Sequence, residues 1–595
     1  MEFFKRIRSW QPAFTACAAL LCVCFRRAAS LRPPSSAFVV SPSAPFSTQT
    51  RRTMPLGSGA RQQNVMMTST VMEPAVSTVD EESPKAYAGE LKPLTNASAT
   101  VVCIVPAAGR PGHKSHFLTK PFKEQVEWPD VLQHMAERLT WSSPNFKLKI
   151  FTEDVLSSPT APSNLSAALS NANILLTLNV HDRQALTNLK AIVTNTQMGS
   201  RTNESAPFLP TILSFGLGGR SSPVESLQRM GGTPVGSFVR KVSARVAPWS
   251  RVSRALKTKR VLDILWQRRS SDDLLYFMEV LIDSYVADIP LVKSQLGMKE
   301  MGSGVLKCMW TNCQDQIIEC MKSPACRQAL FCLTNCPLND QVCTYRCIVT
   351  HESPAFEAFS LCILQKHNCL NNSAPIPVYP RPEPLRTFKG KPLTYESAED
   401  IYVGWLGQDP WSWKVVAGKN PAYDFFPNQH QIFYRGKRSA FWYDPVFRVT
   451  TYDGRVVWRR RHYRVKRAAE PGTFWFSVLD NGVTSNEYWT ILDCADDFSW
   501  AIFHYSGAAS VAGQQYRGAL VVSRDGAWPK IDGMETRRRI EAALDKAGVK
   551  TWELYEVVND GSEGAPLGLP DSGAPMAEQY QEVRPPQQPV QAAVA

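Results

Sequence analysis

Ten of the chain's fifteen cysteines lie in one short segment, where thiols could form disulfides or bind a structural metal ion. They are Cys308, Cys313, Cys320, Cys326, Cys332, Cys336, Cys343, Cys347, Cys362 and Cys369. Zinc sites usually pair their ligands two to four residues apart, often as C-x2-C, and the segment has no C-x2-C. We therefore predict disulfides, no metal site, and an oxidising compartment.

The spacing of four of these cysteines predicts how they pair. Cys332 and Cys336 are four residues apart, as are Cys343 and Cys347. Residues four apart lie on one face of a helix, so two such pairs can face each other across a helical hairpin. This geometry predicts a nested ladder, with Cys336–Cys343 inside Cys332–Cys347. Spacing alone leaves the pairing of the other six cysteines open.

Residues 1–70 are typical of a two-part targeting leader. A basic start precedes the apolar stretch Pro12–Phe25, which is short for a membrane span. No Asp or Glu then occurs between Arg26 and Met72. This order resembles the signal-plus-transit leader of proteins sent to a secondary plastid. The alternative is a secretory signal followed by a disordered spacer. Residues 71–98 are predicted to be a linker.

Residues 99–300 are predicted to form an α/β domain with trailing helices. Apolar runs such as Val101–Val105 and Ile174–Val180 indicate buried strands, and helical patterns separate them. Alternating strands and helices suggest a layered α/β domain. A glycine-rich stretch at 216–219 lacks the full G-x-G-x-x-G spacing, so we interpret it as a turn rather than a nucleotide site.

Residues 400–558 are predicted to form a β-barrel with a C-terminal helix. Eight short aromatic and β-branched strands occur at regular spacing, which suggests an eight-stranded antiparallel barrel. A barrel of this size can hold one small ligand. Met534–Ala547 is a predicted helix. We expect residues 305–372 to be the disulfide domain, 373–399 a proline-rich linker and 559–595 a disordered tail. The predicted fold class is therefore a multidomain α+β protein.

The basic run Arg459–Arg467 has two interpretations. A solvated strand face with a turn is favoured, and contact with an anionic membrane is the alternative, testable by salt dependence. The net charge of +13 is raised by this run and by the N-terminus. A basic run alone is unspecific, so the sequence gives nucleic-acid binding little support.

From about residue 305 to 530 the sequence resembles the violaxanthin de-epoxidase family, nearest to its de-epoxidase-related branch of algae. All ten clustered cysteines match that family's cysteine-rich domain. Further matching motifs are Cys320-Met-Lys-Ser-Pro-Ala-Cys326, Ala329-Leu-Phe-Cys-Leu-Thr-Asn-Cys336, Gly418-Lys-Asn-Pro-Ala-Tyr-Asp424, Trp489-Thr-Ile-Leu492, Phe503-His-Tyr-Ser-Gly507 and Tyr516-Arg-Gly-Ala519.

The resemblance implies a lipocalin-like barrel with a carotenoid in its bore. It implies reductive removal of an epoxide oxygen, with ascorbate as reductant, in the thylakoid lumen of a plastid. It also implies five disulfides. These are Cys308–Cys326, Cys313–Cys320, Cys332–Cys347, Cys336–Cys343 and Cys362–Cys369.

The resemblance also suggests the site residues. Opening an epoxide needs an acid near the ring oxygen, and an apolar bore raises the pKa of a carboxyl toward neutrality. Glu487 stands where the family has an aspartate, and Tyr505 aligns with a pocket tyrosine. We predict both as catalytic; otherwise Glu487 is a solvated strand-end carboxylate and Tyr505 is barrel packing. The residues predicted to bind substrate are Trp413, Asp424, Phe426, Gln429 and Trp489.

Three further positions depart from the family pattern. Val522 replaces a second pocket tyrosine, Gln431 a histidine linked to pH sensing, and Asn428 a barrel cysteine, which leaves Cys494 without its partner. These changes keep alternatives open: a non-catalytic carotenoid-binding barrel, an isomerase that opens the epoxide without reductant, or an interaction scaffold that uses the α/β domain.

Overall fold

A computed structural model describes most of the chain from residue 95 onward. The described ranges are 95–160, 162–200, 211–215, 251–268, 270–289, 292, 303–337, 340–404, 413–436, 440–530, 534–569 and 582–583. The predicted leader, most of the 71–98 linker and the glycine-rich turn at 216–219 lie outside them. Within these residues, no helix combines the length and apolar character needed to cross a bilayer.

The first described region is a layered α/β structure. Four parallel strands stand in the order β4-β1-β5-β6, and a short hairpin of β2 and β3 precedes the first helix. The strands are β1 (Ala99–Val105), β2 (Lys114–Leu118), β3 (Gln125–Glu127), β4 (Phe146–Thr152), β5 (Ile174–Leu178) and β6 (Thr211–Phe215). The helices are α1 (Trp128–Leu139), α2 (Ser163–Ser170), α3 (Arg183–Ser200), α4 (Arg251–Arg268) and α5 (Ser271–Tyr285).

The central strand explains why the sheet is covered on both faces. Val101 and Cys103 belong to the core that includes α1 and α5, whereas Val102 and Ile104 belong to the core that includes α2 and α3. A parallel strand buried on both faces has a continuous apolar sequence, as this one does. The predicted α/β layer is confirmed.

Four helices carry the cysteine cluster. They are α6 (Ser303–Lys322), α7 (Pro324–Asn335), α8 (Gln341–His351) and α9 (Pro354–Ser360), which continues into a π-helical turn at Leu361–Lys366. All ten cysteines form disulfides, and the ladder Cys336–Cys343 within Cys332–Cys347 is confirmed.

The other three disulfides differ from those that the resemblance implied. The structure pairs Cys308 with Cys369, Cys313 with Cys362 and Cys320 with Cys326. The expected bonds Cys308–Cys326, Cys313–Cys320 and Cys362–Cys369 are therefore wrong for this structure. The reason is packing: α6 contacts α9 and the π-helical turn, which brings the start of the segment beside its end.

The barrel closes through pairing of β10 with β11. Its strands are β9 (Trp413–Gly418), β10 (His430–Arg435), β11 (Phe441–Thr450), β12 (Val456–Arg460), β13 (Tyr463–Arg467), β14 (Thr473–Asp480), β15 (Val483–Cys494), β16 (Trp500–Ala509) and β17 (Gln514–Ser523). Strands β12 and β13 pair with β11 in one continuous register, interrupted opposite Pro445. Counted as one interrupted strand, they give the predicted eight-stranded antiparallel barrel.

A helix closes one end of the barrel. Helix α10 (Tyr395–Val403) places Tyr402 in the bore, with its ring centroid 4.6 Å from that of Phe433 and 4.8 Å from that of Phe503. This helix begins inside the predicted 373–399 linker, which also contains the hairpin β7 (Thr387–Phe388) and β8 (Lys391–Pro392). The predicted helix is confirmed as α11 (Met534–Lys546), which packs on the outer wall.

The start of the predicted disordered tail is ordered. Strand β18 (Tyr555–Glu556) pairs with β9, and residues 559–569 continue along the barrel. Arg460 donates hydrogen bonds to the carbonyls of Pro566 and Gly568, at 2.7 and 2.6 Å. Leu567 packs with Trp458. The disorder prediction is therefore wrong for 559–569; strand β19 (Glu582–Val583) pairs with β12.

Candidate functional site

Aromatic side chains line the middle of the barrel. The inward residues alternate along each strand, as strand geometry requires: Tyr443 on β11, Phe476 on β14 and Trp489 on β15 all belong to the barrel core. Trp489 stacks on Phe476 with ring centroids 4.7 Å apart, and the ring centroids of Tyr443 and Trp489 are 5.2 Å apart. The bore therefore offers an apolar, aromatic environment to any polar group placed in it.

Glu487 is buried in this bore, so the solvated alternative for it is wrong. Its carboxylate accepts hydrogen bonds of 2.6 Å from both the Tyr516 hydroxyl and the Trp489 indole N–H. The Tyr463 hydroxyl lies 3.5 Å from Glu487 Oε1. Burial raises the pKa of Glu487, and the hydrogen bonds from Tyr516 and Trp489 oppose that rise.

The strand beside Glu487 makes room for this arrangement. Gly507 on β16 is the direct cross-strand partner of Glu487. A Cβ at Gly507 would lie 2.5 Å from the Tyr516 ring and 2.9 Å from Glu487 Cγ. Any larger residue at Gly507 would therefore displace the Tyr516–Glu487 pair.

Asp424 is a second buried carboxyl. Its Oδ2 accepts a 2.6 Å hydrogen bond from the Asn420 backbone N–H, and the carboxyl lies directly over Gly418, where a Cβ would collide with it. Burial raises the pKa of Asp424 to about 8, although the Asn420 hydrogen bond and the Lys419 charge lower it. Asp424 therefore keeps its proton at neutral pH.

Tyr505 links the two carboxyls electrostatically. Its ring stacks on Trp489 with centroids 5.0 Å apart. Burial raises the pKa of Tyr505 well above its usual value, and the nearby Asp424 and Glu487 raise it further. Trp413, at the first barrel strand, is fully buried in the same core and donates its indole N–H to the Ile401 carbonyl. The barrel thus brings together five of the predicted site residues, which are Trp413, Asp424, Glu487, Trp489 and Tyr505.

Two predicted substrate-binding residues lie elsewhere. Phe426 packs against Tyr345 of α8 and Phe447, in a cluster separate from the barrel core. The Gln429 side chain donates hydrogen bonds to the backbone carbonyls of Tyr423 and Phe426. Both residues hold the loop that carries Asp424, so the structure gives them a role in positioning that loop.

The first part of the basic run faces the interior, which corrects the solvated-face interpretation. Arg459 and Arg461 are buried and share Asp480 as an ion partner, at 2.8 and 2.5 Å. Arg459 also binds Glu352, which follows α8. Of the remaining basic residues, Arg464, Lys466 and Arg467 are exposed.

These arginines form a charged layer beneath the cysteine-rich helices. Arg461 donates to the Tyr423 hydroxyl at 2.8 Å and lies over the Tyr345 ring, 4.9 Å from its centroid. Its positive charge also lowers the pKa of Glu487, against the larger effect of burial. The sequence signal was the alternation of residues 457, 459, 461, 463 and 465, whose apolar members lie in buried clusters.

The positions that depart from the family pattern have clear local roles. Gln431 accepts a hydrogen bond from the Tyr443 hydroxyl inside the barrel. Asn428 donates to Asp560 at 2.9 Å and so holds the segment after β18. Val522 is buried in the core. Cys494 is a buried free thiol, and burial raises its pKa.

The arrangement can supply protons in an apolar site. Two buried carboxyls have raised pKa values, and tyrosine hydroxyls and a tryptophan N–H surround one of them. Sequence reasoning found Glu487, Asp424 and Tyr505. It missed Tyr516, Tyr463 and Arg461, which contact or electrostatically influence Glu487 only because distant strands meet in the barrel.

Comparison with known proteins identifies relatives of the barrel and its cysteine-rich helices. Residues 305–559 match the family described as the VDE lipocalin domain. The Arabidopsis thaliana protein named violaxanthin de-epoxidase, chloroplastic, is 23% identical over 244 residues, which are 37% of this chain and 46% of that protein. The match thus spans less than half of that relative's length. A solved structure of apocrustacyanin C1 has 16% identity and a TM-score of 0.19, over 29% of this chain and 90% of that one.

Proposed function

The chain belongs, through residues 305–559, to the violaxanthin de-epoxidase family, and from this premise we propose that it is a plastid oxidoreductase acting on epoxidised xanthophylls. The observation that carries the proposal is the buried Glu487 carboxyl, with its raised pKa, inside an aromatic bore. Such a bore suits the apolar end ring of a carotenoid, and the carboxyl suits an epoxide oxygen.

The proposed reaction is reductive epoxide opening. In this proposal Glu487 protonates the epoxide oxygen, and burial supports that role because it raises the pKa of the carboxyl. Tyr505 orients the oxygen, and Asp424 is a further proton source in the same bore. Ascorbate gives two electrons and becomes the dicarbonyl, both carbon–oxygen bonds break, the oxygen leaves as water, and a carbon–carbon double bond forms.

We place the reaction in a plastid, in the thylakoid lumen. The leader-like residues 1–70, the dense disulfides and the chloroplastic relative support this location. The exposed Arg464 and Lys466 would favour contact with an anionic membrane that carries the pigment. Membrane association that falls with added salt would support that contact, since salt screens exposed charges.

One incubation separates the possible activities. Refolded, disulfide-intact protein is mixed with violaxanthin, with and without ascorbate, and the pigments are separated by chromatography. We expect turnover only with ascorbate. Products that form without ascorbate would instead support an isomerase. Binding without turnover would support a carotenoid carrier. If the protein neither binds nor converts the pigment, the interaction scaffold is the hypothesis that remains.

The role of Glu487 is tested by Glu487→Gln, which keeps the shape and removes the acid. We expect the rate to fall by about a hundredfold or more, the typical loss when a general acid is removed. Glu470→Gln makes the same chemical change at an exposed position and should leave the rate unchanged. Full turnover by Glu487→Gln would falsify the acid assignment.

A further inference from the structure

A large cleft lies where the three parts of the described chain meet. Its volume is about 480 Å³, within the range of small-molecule sites. Helix α5 contributes Tyr276, helix α8 contributes Arg346, and the barrel contributes Asn420, Gln515 and Tyr516. The α/β region is therefore part of the wall.

The cleft wall touches both buried carboxyls of the barrel. Tyr516 lines the cleft while its hydroxyl donates to Glu487 at 2.6 Å. Asn420 lines the cleft while its backbone N–H donates to Asp424 at 2.6 Å. A molecule in the cleft would therefore be separated from each carboxyl by one residue.

The chemistry of the wall favours a polar ligand. Arg138 and Asp272 form an ion pair of 2.6 Å, and Ser142 donates to Glu279 at 2.5 Å. Adjacent donors and acceptors suit hydroxyl groups, because each hydroxyl both donates and accepts. A polyene has no polar group that could hydrogen-bond to this wall, and covering the wall would cost desolvation energy.

Tyr276 adds an unused hydrogen-bonding group to this wall. The residue is 5% exposed, and its hydroxyl makes no hydrogen bond to any other described residue. Buried polar groups in native proteins are normally paired, so an unpaired one points to a missing partner.

We propose that this cleft binds the small hydroxyl-rich reductant of the reaction, an ene-diol such as ascorbate, while the bore holds the pigment ring. The inference rests on the proposed function and deepens it. The ene-diol loses two electrons and two protons and becomes a dicarbonyl, and the epoxide oxygen leaves as water. Displacement of the Tyr516 ring would connect the cleft with Glu487.

The test fills the cleft and uses ascorbate as the probe. In Gln515→Trp, a half-buried cleft residue becomes a bulky one in the otherwise unchanged full chain. The matched control is Gln514→Trp, because neighbouring strand residues point to opposite faces and Gln514 is exposed. Ascorbate KM, violaxanthin KM and direct ascorbate binding by saturation-transfer NMR are measured for each.

We expect Gln515→Trp to raise the ascorbate KM at least tenfold, to abolish the NMR signal and to leave the violaxanthin KM within twofold. Gln514→Trp should match the parent chain. Tyr276→Phe, which removes no hydrogen bond within the described residues, should raise the ascorbate KM about threefold to tenfold, the usual effect of losing one hydrogen bond. This second variant keeps the test decisive if Gln515→Trp does not fold.

An unchanged ascorbate KM and NMR signal in the folded variants would overturn the cleft assignment. A rise in the violaxanthin KM alone would overturn it too, because the cleft would then admit pigment. If the parent chain shows no turnover, the proposed function fails instead. The NMR signal then decides the cleft: loss in Gln515→Trp supports a site there, and no signal in the parent overturns it.

Discussion

Glu487 and Asp424 are both buried carboxyls, yet their surroundings differ. Two strong hydrogen bonds and the Arg461 charge favour the ionised form of Glu487, whereas Asp424 has one backbone donor and the nearby Lys419 charge. The pKa of Asp424 rises to about 8. Pairs of titratable groups with different environments are typical of acid–base sites, so Asp424 is the better proton reserve at neutral pH.

Asp424 makes the stability of the fold depend on pH. The pKa of Asp424 is raised above the usual 3.8. Its contribution to the free energy of unfolding is therefore fully present below pH 3.8 and is lost as the pH rises through about 8. We expect the free energy of unfolding to fall by about 1.4 kcal/mol per pH unit in this window because of this one group.

Urea unfolding of Asp424→Asn and the parent chain at several pH values checks this expectation. The neutral amide of Asp424→Asn should flatten the curve of unfolding free energy against pH between pH 5 and 7. Asp453→Asn, at a turn outside the barrel core, should leave the slope between pH 5 and 7 unchanged, because the pKa of Asp453 is lowered and its carboxyl is ionised throughout that window. Parallel curves for Asp424→Asn and the parent would show that Asp424 is ionised in the fold.

At the scale of elements, the cysteine-rich helices cover the barrel as well as linking to one another. Tyr345 and Val349 of α8 pack with Phe447 and Val449 of β11. Arg346 donates to the Thr450 carbonyl at 2.9 Å. The disulfides therefore fix a layer of helices that encloses the charged end of the barrel.

The disulfide pairing can be read from a non-reducing tryptic digest. Trypsin cleaves after the five basic residues Lys307, Lys322, Arg327, Arg346 and Lys366. The observed pairing links the resulting five cysteine peptides into one disulfide-linked cluster, because Cys308 and Cys313 reach Cys369 and Cys362. The pairing implied by the family would give two separate clusters. Mass spectrometry of the digest distinguishes these outcomes, and two clusters would contradict the structure.

At the scale of the whole molecule, a buried charge network joins the α/β region to the barrel. Glu553 accepts from Arg138 at 2.7 Å and from His134 at 2.8 Å. Asp272 of α5 binds both Arg138 and Lys419, at 2.6 and 2.7 Å. Lys419 precedes Asn420, so the α/β region helps to fix the loop that holds Asp424.

Glu553→Gln should loosen this interface. The pKa of Glu553 is lowered to about 2 although burial alone would raise it, because the charges of Arg138 and Lys419 outweigh burial. Its stabilising contribution is therefore present above the usual 4.5 and is lost as the pH falls through about 2. Removing the charge leaves Arg138 without one buried partner. We therefore expect the free energy of unfolding to fall by about 3–5 kcal/mol at pH 7.

Urea unfolding at pH 7 and pH 3 measures this loss, which should be smaller at the lower pH. Asp545→Asn is the control, since its pair with Lys550 is exposed and contributes at most about 1 kcal/mol. Equal effects of the two substitutions would mean that the network does not stabilise the interface.

The sequence by itself predicted the elements that depend on local patterns. Alternation gave the barrel strands, continuous apolar runs gave the parallel sheet, and four-residue spacing gave the Cys336–Cys343 ladder. The resemblance added Glu487, Asp424 and Tyr505. These features were accessible because each is encoded within a few neighbouring residues or in a recognisable motif.

Only the tertiary structure decided the remaining cysteine pairs, the inward arginines and the cleft. Cys308 and Cys369 are 61 residues apart, and Cys313 and Cys362 are 49 apart. Arg459 and Arg461 are buried only because Asp480 and Glu352 reach them from other elements. The cleft needs walls from three regions of the chain. Contacts over such separations leave no periodic pattern in the sequence, because packing between elements fixes them.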